Sequence, residues 1–488
     1  MSIRRGTAYN LAGAATPVVL MLVSVPLYLA ALGEARYGIL AIVWVLTGYF
    51  GFLDFGLGRA TAFAIARQSD ADSERRARTF WTALLVNGAF GLMGALSMLV
   101  LAPLLFDRVF QVPAPLAAEL QPVLPWLALA IPLLTFEGVL AGALTGRERF
   151  LALNIRAAIG TALTQFVPLA FVWIIAPTLQ VAVPATILAR FLSVALLAAM
   201  AFRAVPASFR PRIGDGETVR ELTAYGGWIS LGAAGSQLVA NFDRFLIAGV
   251  LGPVATAIYT VPYQLVMRGA LVSRALSTTM FPRLAREDID ARGELGRRAL
   301  KANAALMTLP CVAGILVMHP FLALWVGADF AADAAPVGRF LAVTLWLNAL
   351  AIIAQNMIEA DNRPRETAAA LLVQAVPFML VAWIGIGWAG LVGVALARNF
   401  RSLLNLGLLA WRAGMLGPVL CLLPVPLALL GAAIALSTAL PVSDWRLAVA
   451  GLILAVASAA WGLAASSELR RFILHDLPTL LKQRRHAG

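Results

Sequence analysis

The sequence predicts an all-α integral membrane protein of about fourteen transmembrane helices, on three observations. Of 488 residues, 61% are hydrophobic and 13% charged, with a mean hydropathy of +0.84, outside the range of water-soluble domains. Apolar runs of at least the roughly 20 residues needed to cross a bilayer follow one another along almost the whole chain. The basic residues are sorted between alternate loops.

Charged clusters and Pro/Gly breaks delimit the spans in order. The run 7–31, between Arg5 and the Gly33–Arg36 turn, is too long for the core of a cleaved signal peptide and reads as a retained first span. Next come 37–66, closed by Arg67; 79–106, between Arg78 and Asp107; and 115–145, closed by Arg147. Spans 150–177, 180–203 and 219–250 come after these, then 253–281, 299–322, 336–360, 367–386, 388–411, 417–437 and 446–467. Those longer than 25 residues have room for tilt or for extension into the cytosol. Every loop is short, so no soluble catalytic domain lies between spans. From Glu468 to Arg485, Leu469, Phe472, Ile473, Leu477 and Leu481 alternate with basic residues around Pro478, which reads as a basic amphipathic tail on the inner leaflet or as a solvated one.

Of the 38 Lys and Arg, 27 fall at the N-terminus, in the loops after even-numbered spans and at the C-terminus, 4 in the opposite loops and 7 within spans. Positive charge accumulates on the cytoplasmic side, so both termini are expected there. The net charge of +13 then reflects orientation and anionic membrane lipids, and nucleic acid is not implied.

Thr7-Ala8-Tyr9 recurs as Thr223-Ala224-Tyr225, Ala31-Leu32-Gly33 resembles Val250-Leu251-Gly252, and Leu188-Ala189-Arg190 recurs as Leu396-Ala397-Arg398. The order of these matches suggests two lobes of six spans in parallel repeat, because an even number of spans returns the chain to its starting side. The expected organisation is an N-terminal lobe over 1–204, a cytosolic linker over 205–218, a second lobe over 219–414, an added helix pair over 415–467 and the tail over 468–488.

Asn10, the turn Leu32-Gly33-Glu34-Ala35-Arg36-Tyr37-Gly38 and the stretch Leu53-Asp54-Phe55-Gly56-Leu57-Gly58-Arg59-Ala60 resemble the amino-terminal lobe of Wzx-type polysaccharide flippases. Asn241-Phe242-Asp243-Arg244 with Tyr259, and the hairpin Gly387-Trp388-Ala389-Gly390-Leu391-Val392-Gly393, resemble later parts of the same family. The resemblance is to the multidrug/oligosaccharidyl-lipid/polysaccharide exporter superfamily, with a MATE-like fold. It implies movement of an oligosaccharide linked to undecaprenyl pyrophosphate from the inner to the outer leaflet of the bacterial inner membrane by alternating access, for O-antigen, capsule or exopolysaccharide synthesis. Partners would be the lipid-linked oligosaccharide, membrane lipids and a polysaccharide polymerase or ligase. Many relatives have twelve spans where this chain has fourteen.

Charge inside a bilayer is costly and usually faces a wet cavity or a partner. Arg59, Arg190, Arg244, Arg268, Arg274, Arg398 and Arg401 lie within spans against Asp54, Glu137 and Asp243. Span 7 carries Gln237, Asn241 and Arg244, and span 8 carries Thr260, Gln264 and Arg268, each set on one helix face. The planar arginine fork suits a diphosphate and keeps its charge when desolvated. Arg59, Arg190, Arg244, Arg268, Arg274 and Arg398, with Gln237, Asn241 and Gln264, are therefore the candidate cationic cavity; pairing with acids or capping of carbonyls is the alternative for each arginine. Ion coupling would use Asp54, Glu137 or Asp243, with Glu359 and His319 as further titratable groups.

Other chemistries find little support. Lys301 and Lys482, the only lysines, both follow leucine, so no Walker A loop is present. Asp54-Phe55-Gly56 spells a kinase motif but lies in an apolar span. Cys311, Cys421 and three scattered histidines make neither a disulfide framework nor a zinc site, and no cofactor is expected. Asp70 and Asp72, or Asp288 and Asp290, resemble the acidic pairs of sugar-transferring enzymes, yet they sit in short basic loops. The competing readings are a MATE-type drug or cation antiporter and, behind it, a membrane glycosyltransferase or ligase using lipid-linked sugars.

Overall fold

The computed structural model describes residues 3–49, 51, 54, 56–68, 72–110, 112–205, 235–284, 286, 288–441 and 444–471. The beginning of the seventh span with Thr223-Ala224-Tyr225, the linker beyond Val205 and the tail beyond Arg471 lie outside the described residues. Within them the chain is helical and without strands, as a bilayer requires of a segment that must satisfy its own backbone.

The helices are α1 (Ile3–Tyr49), α2 (Leu57–Arg67), α3 (Ser73–Leu104, with a π-turn to Val109), α4 (Ala114–Leu120), α5 (Leu124–Gly146), α6 (Phe150–Ile174), α7 (Leu179–Ala204), α8 (235–250) and α9 (Gly252–Arg268). They continue as α10 (Ala270–Leu284), α11 (Ile289–Val326), α12 (Ala328–Ala360), α13 (Pro364–Val373), α14 (Ala375–Arg412), α15 (Leu416–Leu422), α16 (Pro424–Ala439), α17 (Trp445–Ala465) and α18 (Ser467–Arg471). Among the described residues nine helical stretches are long and apolar enough to cross a membrane, or ten if the bent pair α15–α16 is one span. Two of the nine are hairpins. In α1, Gly33 is at φ 73°, ψ 169°, and the rings of Tyr28 and Trp44 meet edge to face at 5.7 Å. Sixteen residues of straight helix would separate them by roughly 24 Å, so the chain reverses at Gly33. In α14, Ala389 and Gly390 leave helical geometry, and the backbones of Gly385 and Gly393 press together. Both reversals fall where the sequence places a turn between spans.

Some expected spans are not continuous. The run 37–66 is two helices, α1 ending at Tyr49 and α2 starting at Leu57, because Gly56 takes the left-handed conformation (φ 64°, ψ 9°) that glycine adopts without strain. The span 253–281 likewise divides at Gly269 into α9 and α10.

The contacts group the chain into two compact units, Met1–Ala257 and Ile258–Gly488. This grouping places residues 235–257, assigned by the repeat to the second lobe, with the first unit. In the first unit, Ile39, Val43, Met98, Leu120, Leu127, Ile131 and Val183 join α1, α3, α4, α5 and α7 in one apolar core. Small residues let α2 and α5 approach closely: a methyl on Gly58 would lie 2.6 Å from the Gly138 carbonyl oxygen. At one end of this unit Arg36 pairs with Glu119 at 2.5 Å, and Glu119 also accepts the Leu179 N–H.

In the second unit, α11 and α12 pack along their length and are pinned by polar side chains. Asn303 donates to the Ala349 carbonyl at 2.6 Å and accepts from Ser273, and Trp346 donates to Thr308. Buried amides and hydroxyls are tolerated here because each has a partner. Helix α17 packs against α11 and α16, with Gly462 over Ala305. Asp361 and Glu366 form ion pairs with Arg292, Arg363 and Arg412 at one end of this unit.

Candidate functional site

Within each unit the intramembrane charges have distinct settings. In the first unit, three helices bring together a carboxylate and two guanidiniums. Glu137 lies nine residues before the end of α5, about 14 Å of helix, and Arg156 six residues after the start of α6, about 9 Å. The two helices join through Arg147–Arg149, so these side chains face each other across an antiparallel pair. Arg190, midway along α7, closes the group from the third helix.

Arg156 Nη1 is 2.7 Å from Glu137 Oε1, and Arg190 Nη1 is 3.6 Å from Glu137 Oε2. The carboxylate thus bridges the two arginines, one oxygen each, leaving a net charge of plus one. With Ala157, Gly160, Thr161, Thr164 and Ser193 these residues line a polar pocket of about 210 Å³. Side-chain exposures of 14% for Arg156, 25% for Arg190 and 28% for Glu137 keep the group mostly out of solvent, where electrostatic interactions are strong. A lone arginine at the centre of a spanning helix costs about 2.5–3.5 kcal/mol, so pairing stabilises both arginines in place.

The other candidate residues have different settings. Asp54 accepts from Asn87 Nδ2 at 2.6 Å and from the Gly58 N–H at 3.2 Å, while Asn87 also donates to the Thr135 carbonyl. This carboxylate caps the first turn of α2, and Arg59 is exposed beside it. On α8, Arg244 donates to Asn241 Oδ1 at 2.8 Å and Asn241 donates to the Gln237 carbonyl, so the stripe read from spacing is a continuous hydrogen-bonded line. Asp243 is fully buried and accepts the Arg244 backbone N–H.

In the second unit Arg398 is 6% exposed, its guanidinium 4.6 Å above the Tyr263 ring and bonded to the Tyr263 hydroxyl at 2.8 Å. Arg401 lies over Phe378 and donates to Gln374. Arg190 and Arg398, matched by the repeat, are therefore held differently, one by a carboxylate and one by an aromatic ring. Arg268, the last residue of α9, is half-buried, with no hydrogen bond or ion pair among the described residues; Gln264 is half-buried and Arg274 exposed.

Counted by loop, Arg156 goes with the cytosolic charges because it stands near the start of its span; in the structure it is a partner of Glu137. A signal is present in the sequence. Arg156, Gly160 and Thr164 recur every fourth residue along α6, and Arg190 and Ser193 lie three apart along α7, so each helix turns a small or polar stripe to the same pocket.

Residues 3–287 match the family described as "Polysaccharide biosynthesis protein". The chain is similar to the "Putative O-antigen transporter" of Shigella flexneri, with 27% identity over 416 residues covering 84% of this chain and 97% of that one. In fold it is similar to the lipid II flippase MurJ in an inward closed conformation, with a TM-score of 0.69 and 12% identity over 96% of this chain and all of that one. It is also similar to an inward-facing multidrug resistance MATE family transporter of the MOP superfamily, with a TM-score of 0.65 and 20% identity over 86% of this chain and 95% of that one. The match over more than half of the chain, on a MATE-like arrangement of apolar helices, identifies this multi-pass membrane protein as a member of the polysaccharide biosynthesis protein family.

Proposed function

We propose that this protein moves an oligosaccharide linked to undecaprenyl pyrophosphate from the inner to the outer leaflet of the bacterial inner membrane by alternating access, without chemical change to its cargo. The observation that carries the reading is the Glu137–Arg156–Arg190 pocket, a net positive, hydroxyl-lined cavity within membrane-spanning helices. Arginine forks match phosphate oxygens, and hydroxyls match sugars. The O-antigen transporter description of the Shigella relative supports the cargo class. A hydrophobic cation, the cargo of a drug antiporter, would meet like charge here. Arg59, Arg244, Arg268, Arg274 and Arg398 would add positive charge along the route, and Asp54, Glu137 and Asp243 are the acids through which an ion gradient could act. Both termini face the cytoplasm in this reading, and a polymerase or ligase receives the product outside.

The test is depletion of the protein with leaflet-resolved analysis of lipid-linked intermediates. The expected result is one lipid-linked oligosaccharide accumulating on the inner leaflet. In liposomes the purified protein should translocate that lipid without nucleotide, and a strict ATP requirement there would contradict the proposal.

A further inference from the structure

We infer that Glu137 is a built-in counter-ion which the diphosphate of the cargo displaces from Arg156 and Arg190, so that loading and release are an exchange of one anion for another. This rests on the transport reading above and names the groups that meet the phosphate.

The geometry of the triad is that of a shared and incomplete partner. A guanidinium offers five N–H donors in a planar fork, and a carboxylate that faces one fork squarely satisfies two of them. Glu137 instead gives one oxygen to each arginine, at 2.7 Å and 3.6 Å, so neither fork is filled. Arg156 Nε is buried and has no hydrogen-bond partner among the described residues. The two guanidiniums share this one carboxylate, so the group keeps one positive charge in excess. A diphosphate carries more charge and more oxygens, and it can occupy both forks at once. Its approach attracts the arginines and repels Glu137, which favours exchange over addition.

The remaining lining fits the sugar attached to the phosphate. Thr161 and Thr164 donate their hydroxyl protons to the Ala157 and Gly160 carbonyls, so their oxygens can only accept. Acceptors beside two arginines suit the hydroxyl or amide N–H groups of a sugar joined to the diphosphate. Gly160 gives Ser193 room, since a methyl there would lie 2.5 Å from the Ser193 hydroxyl.

The experiment is titration of farnesyl diphosphate, a short isoprenoid diphosphate, into the full-length protein in phosphatidylethanolamine/phosphatidylglycerol nanodiscs, with glycan display measured in cells carrying the same variants. Glu137→Gln keeps the shape of the side chain and removes the competing charge. It should bind the probe about tenfold tighter, a difference of one power of ten in Kd, while glycan display falls because the carboxylate no longer reclaims the arginines. Glu137→Asp retains the charge but is too short to bridge both arginines, and should bind between wild type and Glu137→Gln. Arg156→Gln and Arg190→Gln should weaken binding. If Glu137→Gln bound the probe no tighter than wild type at unchanged thermal stability, the counter-ion role would be overturned even with the arginine effects intact. If Glu137→Gln were unstable, Glu137→Asp decides alone, and binding no tighter than wild type overturns the role. Absence of probe binding by wild type would remove the diphosphate pocket itself.

Discussion

The seam between α2 and α5 can be tested one methyl group at a time. Gly58, Gly138 and Gly142 hold these helices in contact, but a Cβ added at each would meet a different kind of neighbour. At Gly142 it would run into the Gly58 carbonyl oxygen, with the carbonyl carbon at 2.9 Å; at Gly58 it would lie 2.6 Å from the Gly138 carbonyl oxygen. Backbone cannot swing aside, so the helices must part, and overpacking of this kind costs about 1–3 kcal/mol or more. At Gly138 the methyl would first meet the Asp54 carboxylate, with Cγ at 2.5 Å and Oδ2 at 2.9 Å. Relief there displaces Asp54 from Asn87 and the Gly58 N–H, two charge-assisted hydrogen bonds worth about 1.5–3 kcal/mol each. All three alanine variants should lower the melting temperature of the detergent-solubilised protein. Asp54→Ala should restore part of the loss in Gly138→Ala, less in Gly58→Ala, where Asp54 Oδ2 lies 3.2 Å from the added methyl behind the closer Gly138 backbone, and none in Gly142→Ala, an interaction a double-mutant cycle measures directly. Gly407→Ala and Gly431→Ala, at helical glycines with open space around them, should be neutral or gain up to about 1 kcal/mol from helix propensity. Strict additivity of Gly138→Ala and Asp54→Ala would refute the assignment of Asp54 as the obstructing group.

The two hairpin turns depend on positive φ, so Gly33→Ala (φ 73°) and Gly390→Ala (φ 54°) should each destabilise by about 1–3 kcal/mol, read by thermal melting, although a methyl at either would meet no neighbouring atom. If the bidentate fork of Arg268 meets phosphate, Arg268→Lys should lower glycan display and Arg268→Glu should lower it further at normal membrane abundance; full activity of both would assign Arg268 to packing. A reporter fused after Arg485 should report a cytoplasmic C-terminus, and a periplasmic signal from the intact chain would overturn the orientation.

What is legible in the sequence is what composition and periodicity encode. The apolar runs fall on described helices, some on two consecutive ones and the seventh only through residues 235–250, because the hydrophobic length of a span is imposed by the bilayer and not by tertiary context. The stripe Gln237, Asn241 and Arg244 is legible for the same reason: the 3.6-residue period alone sets it. The break before Leu57 is not, since Gly51, Gly56 and Gly58 in an apolar run are equally compatible with close helix packing, and only backbone conformation distinguishes the two uses. Arg156 escapes notice because it stands at a boundary. Counting charges by loop treats the first turns of a span as cytosol, yet a side chain as long as arginine is placed by whatever carboxylate it can reach. Asp54 and Glu137, two partly buried acids, one at the start of α2 and one on α5, helices packed against each other, illustrate the same point. One is surrounded by N–H donors from Asn87 and Gly58 and fixes the first turn of a helix; the other faces two incompletely satisfied guanidiniums across a cavity. Acid in a membrane span marks a site only when its partners leave something for a ligand to do, and that is a property of three helices at once.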